Sequence, residues 1–206
     1  MRLPIFFLLA ICSATAVAAP PQHVELVYAV SMGNLKIGEG REKLDQDGER
    51  YTIVSESKPL GIAALFVKEI RRESRGTVGP GGLRPQRYEE NRGKDGVRSA
   101  EFDWSAGKMV INNNGEAKTE ALPEGALDMA SLPFSFAFLP PAGDSFRANV
   151  TDGRRLTDYQ LRVLGRETLK TTIGDLQTLH VQKVRLGDDK RGLDFWLAVD
   201  RHYLPV

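Results

Sequence analysis

The stretch Arg41-Glu42-Lys43-Leu44-Asp45-Gln46-Asp47-Gly48-Glu49-Arg50-Tyr51-Thr52-Ile53 decides the fold. Asp47-Gly48 supplies the positive φ values that a tight hairpin demands, so the strand running from near Lys36 to Leu44 must fold back onto the one led by Tyr51 and Ile53. Strands joined by so short a turn are antiparallel. Just upstream, Val24, Leu26, Tyr28 and Val30 share one face of an extended segment, because side chains alternate with period two.

Downstream, the same grammar repeats. Leu60 to Val67 fits a short helix or a buried connector, and the chain is extended again from Lys68 to Val78. Gly79-Pro80-Gly81-Gly82 turns it into Leu83 to Arg92, and Asp95-Gly96 leads into Val97 to Trp104, where Ala100, Phe102 and Trp104 alternate with Ser99, Glu101 and Asp103. Ser105-Ala106-Gly107 and Asn114-Gly115 make two further turns, around Met109 to Asn112 and a polar strand ending near Leu122. The interval from Pro123 to Pro141 breaks the rhythm. Asp128 and Ser131 are caps, Pro133 is tolerated in a first helical turn and Pro140-Pro141 ends it, so a short helix is expected, although the spacing of Phe134, Phe136 and Phe138 also suits a strand.

After Gly143 the strands resume with Phe146 to Thr151, a turn at Asp152-Gly153, and Arg155 to Leu164. Leu176 to Leu186 changes phase, since Leu179 and Val181 lie on one face and Val184 and Leu186 on the other, which predicts a bulge near Gln182 or Lys183. Phe195 to Val199 and Tyr203 to Val206 follow, and a closing strand after Val206 is expected to be missing. About a dozen strands with hairpin connections predict a mainly β fold, an antiparallel meander forming a strongly curved sheet, open barrel or sandwich, with one or two short helices.

The chain has 206 residues, and its first eighteen have the layout of an export signal: Met1-Arg2, an apolar run from Ile5 to Ile11, then small residues ending in Ala16-Val17-Ala18. Cleavage after Ala18 makes residues 1–18 the signal and 19–206 a single antiparallel β domain destined for the periplasm. The apolar run falls short of the about 20 residues that cross a bilayer, so no transmembrane segment is expected in the mature chain. Cys12 invites a lipoprotein reading, but Ile11 stands where a small residue is needed, which disfavours lipid anchoring there. The only cysteine leaves with the signal, and with it any disulfide or thiol chemistry. Losing Arg2 takes Lys plus Arg from 28 to 27, against 27 Asp plus Glu, a balance unlike that of a nucleic-acid binder. The alternating charges Lys68, Glu69, Arg71, Arg72, Glu73 and Arg75 read as one solvated sheet face.

The motifs that carry chemistry are missing or misfit. His23, His180 and His202 have no partner at metal-ligand spacing, and His180 reads as a rim residue of a strand. No Gly-x-Ser-x-Gly elbow occurs. Asp45, Asp47, Glu49 and Glu56 imitate a calcium loop, but Gly48 falls fourth where the sharp turn needs it sixth. The glycines at 76, 79, 81 and 82 open no helix for phosphate, and the acid pairs Glu89/Glu90, Glu101/Asp103 and Asp188/Asp189 read as solvated. No metal or cofactor is expected. Phe102, Trp104, Phe134, Phe136, Phe138 and Trp196 are candidates to line a cup for an apolar ligand, and core packing accounts for the same residues.

Several phrases stand together: Gly82-Leu83-Arg84-Pro85 with Arg87-Tyr88-Glu89-Glu90, then Glu101-Phe102-Asp103-Trp104, Asp128 to Leu132, Phe195-Trp196-Leu197-Ala198 and Tyr203-Leu204-Pro205-Val206. From about Tyr28 onward this ordered set resembles the bacterial exported family known as domain of unknown function 3108. The resemblance implies a periplasmic or envelope protein of Gram-negative bacteria and carries no catalytic residues with it. The functional expectation is a non-catalytic binding or assembly module for a lipid, another apolar ligand or an envelope protein. A hydrolase acting on envelope glycans or esters, and a purely structural β domain, are the alternatives. Expressed in a Gram-negative host, the protein should be recovered from the periplasm with Ala19 as its first residue by intact-mass measurement; recovery of the full-length chain from the cytosol would contradict the export reading.

Overall fold

The structure, a computed structural model, describes residues 19–66, 68–187 and 192–206. The export signal with Cys12, and the Asp188/Asp189 pair, lie outside the described residues. Eight strands form one antiparallel meander in which each lies beside its sequence neighbour: β1 (His23–Met32), β2 (Leu35–Gln46), β3 (Arg50–Pro59), β4 (Ile70–Gly79), β5 (Gly82–Asn91), β6 (Val97–Asp103), β7 (Lys108–Asn113) and β8 (Glu116–Ala121). A second sheet is ordered from the end of the chain backward, with β9 (Leu127–Asp128), β10 (Ser145–Thr151), β11 (Leu156–Thr171), β12 (Gly174–Lys183), β13 (Asp194–Ala198) and β14 (Leu204–Pro205). Its β9–β10 pairing is parallel and the others are antiparallel. One α-helix, α1 (Ser131–Phe138), follows β9. The protein is thus mainly β, as the hairpin signals predict. Among the described residues no helix is long and apolar enough to cross a membrane.

One row of side chains holds the meander together. Leu44, Ile53, Ser74, Tyr88, Ala100 and Ile111 are register partners in succession across β2 to β7, and all six are 0 % exposed. Each large apolar member contributes about 1.5–3 kcal/mol by leaving water. All but Ser74 belong to a single core cluster that also includes Leu161, Val181, Phe195 and Leu197 of the second sheet. The opposite face of the meander is wet: Arg41 pairs with Glu25, Arg71 with Glu56 and Glu73, and Lys58 with Glu69. Exposed pairs of this kind are each worth about 0–1 kcal/mol. Arg72 departs from the expected single solvated face, because period two turns it inward with Ser74 while Arg71, Glu73 and Arg75 point out.

Three local expectations change. The Leu60–Val67 region forms a 3-10 turn at Gly61–Leu65 with no buried residue, so among its described residues it is an exposed turn rather than a buried connector. The expected bulge near Gln182 or Lys183 lies instead on the partner strand, where register shifts between Val163 and Gly165. β12 stops at Lys183, so Val184 and Leu186 fall outside the strand and its alternation; Gly165, at φ 133, takes up the irregularity. β11 also runs on to Thr171, past the expected end at Leu164.

The helix begins on a buried polar knot. The Asp128 carboxylate accepts the N–H groups of Ala130 and Ser131 at 2.9 and 2.8 Å, and the Ser74 hydroxyl at 2.6 Å. Ser74 lies 3.0 Å from the Tyr51 hydroxyl, so the chain of contacts ties β3 and β4 to the start of α1. Pro133 lies in the first turn, where a backbone N–H has no intrahelical acceptor, so its missing donor costs no helical hydrogen bond. Asp128 is fully buried, and burial pushes its carboxyl up to about 6 against the pull of the Ser74, Ser131 and Ala130 hydrogen bonds. A raised acid favours the folded state when protonated. Between the ordinary value near 3.8 and about 6 the unfolded chain ionises first, so stability falls as pH rises, by about 3 kcal/mol in all. Urea unfolding at intervals from pH 4 to pH 8 should show this decline in the native protein, and Asp128→Asn should flatten the curve; parallel curves would show that Asp128 ionises as freely in the fold as outside it.

Candidate functional site

The six aromatic residues expected to line one cup are distributed over the molecule. Phe102 and Phe134 are in the core. Phe134 and Phe138 lie four residues apart on α1 and share a side, while Phe136, about 200° around the helix from Phe134, faces away from them. Phe136 meets Phe146 and Phe195 edge to face at 6.0 and 5.6 Å, and Phe138 packs partly buried against the core. Trp104 stacks on Phe102, gives its indole N–H to the Pro85 carbonyl at 2.6 Å and lies under the Arg84 guanidinium. Trp196 sits on the far face of the second sheet, stacked on His180 at 4.4 Å. Phe136 lines an open groove.

That groove of about 420 Å³ runs beside α1, between the helix, the β4–β5 turn and β10. Leu83, Leu127, Leu132, Phe136, Leu139 and Phe146 supply its apolar lining, and Leu139 is 58 % exposed at the rim. Gly82 lets the turn come close: it holds φ 88, and a Cβ there would already touch Leu139 and Phe138.

At the other end of the inner face the side chains change character. The row next to the apolar one reads Glu42, Ser55, Arg72, Glu90, Arg98 and Asn113 across the same six strands. Glu90, whose side chain is 3 % exposed, accepts Arg72 Nε and Arg92 Nε at 2.7 Å and Arg98 Nη1 at 3.0 Å. Burial alone would raise its carboxyl, but the guanidinium groups of Arg72 and Arg92 hold it below the usual range. The β10–β11 turn faces this cluster, with Arg154 gripping Asp152 through Nε and Nη2 at 3.1 and 3.0 Å. Gly153 at its tip holds φ 75, and a Cβ there would lie 2.9 Å from the Arg98 Cβ, so glycine is needed for the turn to close over β6. Between the two walls is a cavity of about 230 Å³. Lys183 lines it as well, with its ammonium 4.3 Å from the Tyr159 ring centre. Beneath it, the buried Tyr88 hydroxyl meets no hydrogen-bond partner of good geometry among the described residues, and burial raises its pKa.

Sequence reasoning missed this cavity, although the signal was there: Arg72, Glu90 and Arg98 are in phase with Ser74, Tyr88 and Ala100. His180, expected to lack a partner, has two. Its Nε2 lies 2.9 Å from Asp194 and its Nδ1 3.2 Å from Glu167, which also takes the Trp196 indole N–H. The group lies on the outer face of the second sheet and lines neither the cavity nor the groove. Burial opposes ionisation of Asp194, but hydrogen bonds from His180 and Gln182 keep its carboxyl low.

Removing the central carboxylate should be costly, because three partly buried guanidinium groups would lose their shared counter-charge. Glu90→Gln should destabilise the protein by about 3–5 kcal/mol in urea unfolding at neutral pH; a change within about 0.5 kcal/mol would mean that solvent, not Glu90, balances those charges.

Comparison with curated proteins and with solved structures returned no match for this chain. A family profile described as "Protein of unknown function (DUF3108)" matches residues 27–206. The match takes in both sheets, α1, the groove and the charged cavity. The chain therefore belongs to the DUF3108 family.

Proposed function

We propose that the protein is a non-catalytic binding module of the bacterial envelope, exported by its amino-terminal signal, and that it holds a single acyl chain of a lipid in the groove beside α1. The observation that carries this reading is the groove itself: a concave, mostly apolar surface of about 420 Å³ that the core leaves unfilled. Its size falls within the about 300–1,000 Å³ typical of small-molecule sites. The long apolar lining from Leu83 to Phe146 suits a hydrocarbon chain, and the polar residues Glu124, Arg147 and Asn149 stand at the same groove to meet a headgroup.

The hydrolase alternative draws on His180, the one histidine found between two carboxylates. Both its ring nitrogens face carboxylates, so neither is placed to take a proton from a nucleophile, and the arrangement favours a clasp that fixes Trp196 on the sheet.

A fluorescent fatty acid should bind the purified mature protein saturably with one site per chain. Leu139→Asp, at an exposed rim position, should weaken it about tenfold or more, whereas Trp196→Ala on the far sheet should leave it unchanged. Absence of saturable binding, or equal affinity in Leu139→Asp, would refute the groove reading.

A further inference from the structure

The charged cavity is distinct from the groove, and its composition is unbalanced. Among the described residues, five arginines, Arg72, Arg92, Arg98, Arg154 and Arg155, line it against two carboxylates, Glu90 and Asp152. The five guanidinium groups alone carry roughly 25 N–H donors, while two carboxylates offer roughly eight acceptor sites. Glu90 accepts a single N–H from each of Arg72, Arg92 and Arg98, and Asp152 is held by Arg154. Positive charge gathered in a partly enclosed space disfavours the empty state unless an anion enters.

The geometry points to a binding site for a phosphate or phosphate monoester in this cavity, and we infer that Arg92, Arg98, Arg154 and Arg155 are the residues that recognise it. Three features select that chemistry. Arginine presents its donors in a planar fork matched to oxyanions, and here the forks come from opposite walls, β5–β6 on one side and the β10–β11 turn on the other, which suits a tetrahedral anion better than a planar one. A volume of about 230 Å³ lies below the about 300 Å³ at which drug-sized sites begin, so the bound part is a small head rather than a nucleotide. Thr157, which also lines the cavity, adds a side chain that bears a hydroxyl. The cavity does not depend on the acyl groove for any residue.

The test is calorimetric titration of the mature protein with inorganic phosphate in low-salt buffer, with sodium chloride at matched ionic strength as the control. Saturable binding of one phosphate per chain is expected, weakening as salt is added. Arg92→Gln and Arg155→Gln should each reduce affinity about tenfold or more, the energy of one charge-assisted hydrogen bond, and Arg155 is exposed enough that the second variant will fold. A second arm replaces phosphate with neutral phosphatidylcholine vesicles, with and without phosphatidic acid. Binding to free phosphate alone marks a soluble anion as the ligand; binding to the phosphatidic acid vesicles that Arg155→Gln weakens to the same degree marks a lipid headgroup. Failure of both arms, or unchanged binding in both variants, would overturn the proposal. Loss of fatty-acid binding in Leu139→Asp with phosphate binding intact would bear on the groove alone.

Discussion

The register of the eight-stranded meander is the constraint on which the rest depends. Because side chains alternate, a slip of one residue at any strand would exchange its whole inner set for its outer set. In β4 that slip would bring Glu73 or Arg75, depending on its direction, into line with Ile53 and Tyr88 and send Ser74 to solvent. Five of the six residues in the buried row are apolar or aromatic and the sixth, Ser74, is fully hydrogen-bonded, so only one register buries the row without stranding a charge.

β4 shows how unevenly the sheet is held. Its inner positions near the middle are Arg72, Ser74 and Gly76, none of which supplies a large apolar side chain. Tyr51 and Ile53 on one side and Leu83 and Tyr88 on the other provide the burial that keeps it in place. The small inner face of β4 is useful, since it leaves room for Asp128 and the start of α1 to approach Ser74. Gly76 serves the same thin strip: a Cβ would lie 2.2 Å from the Arg84 carbonyl oxygen, where register shifts between Arg75 and Gly76.

Much of this was legible in the chain. Asp47-Gly48, Asn114-Gly115 and Asp152-Gly153 each mark a turn by a local backbone requirement, so the hairpins could be read without tertiary knowledge. Asp128, Ser131, Pro133 and Pro140 likewise marked the helix, although Ala130, neither of the two expected caps, holds the N-cap position. What failed depends on partners distant in sequence. The irregularity assigned to Gln182 or Lys183 belongs to β11, because a bulge is a property of a pair of strands and either member can carry it. The phenylalanines at 134, 136 and 138 could not be assigned to one surface until the backbone was known, since a strand aligns them and a helix sets Phe136 apart. The His180 carboxylates come from β11 and β13, thirteen and fourteen residues away, which no spacing rule joins.

The charged row beside the apolar one is harder to account for by folding alone. Replacing a buried ion cluster by well-packed apolar side chains is often neutral or stabilising, so Arg72, Glu90 and Arg98 are not what a sheet needs at those positions. The same inner face already shows the alternative two residues along, where Ser74, Tyr88 and Ala100 pack with no exposure. The turn carrying Arg154 and Arg155 is brought against this row by Gly153, whose conformation only glycine adopts without strain. A fold that spends core positions on guanidinium groups and shapes a turn to place two more opposite them is arranged around negative charge. Glu90 and Asp152 supply part of that charge, and the surplus of donors is the reason to expect that an anion from outside supplies the remainder.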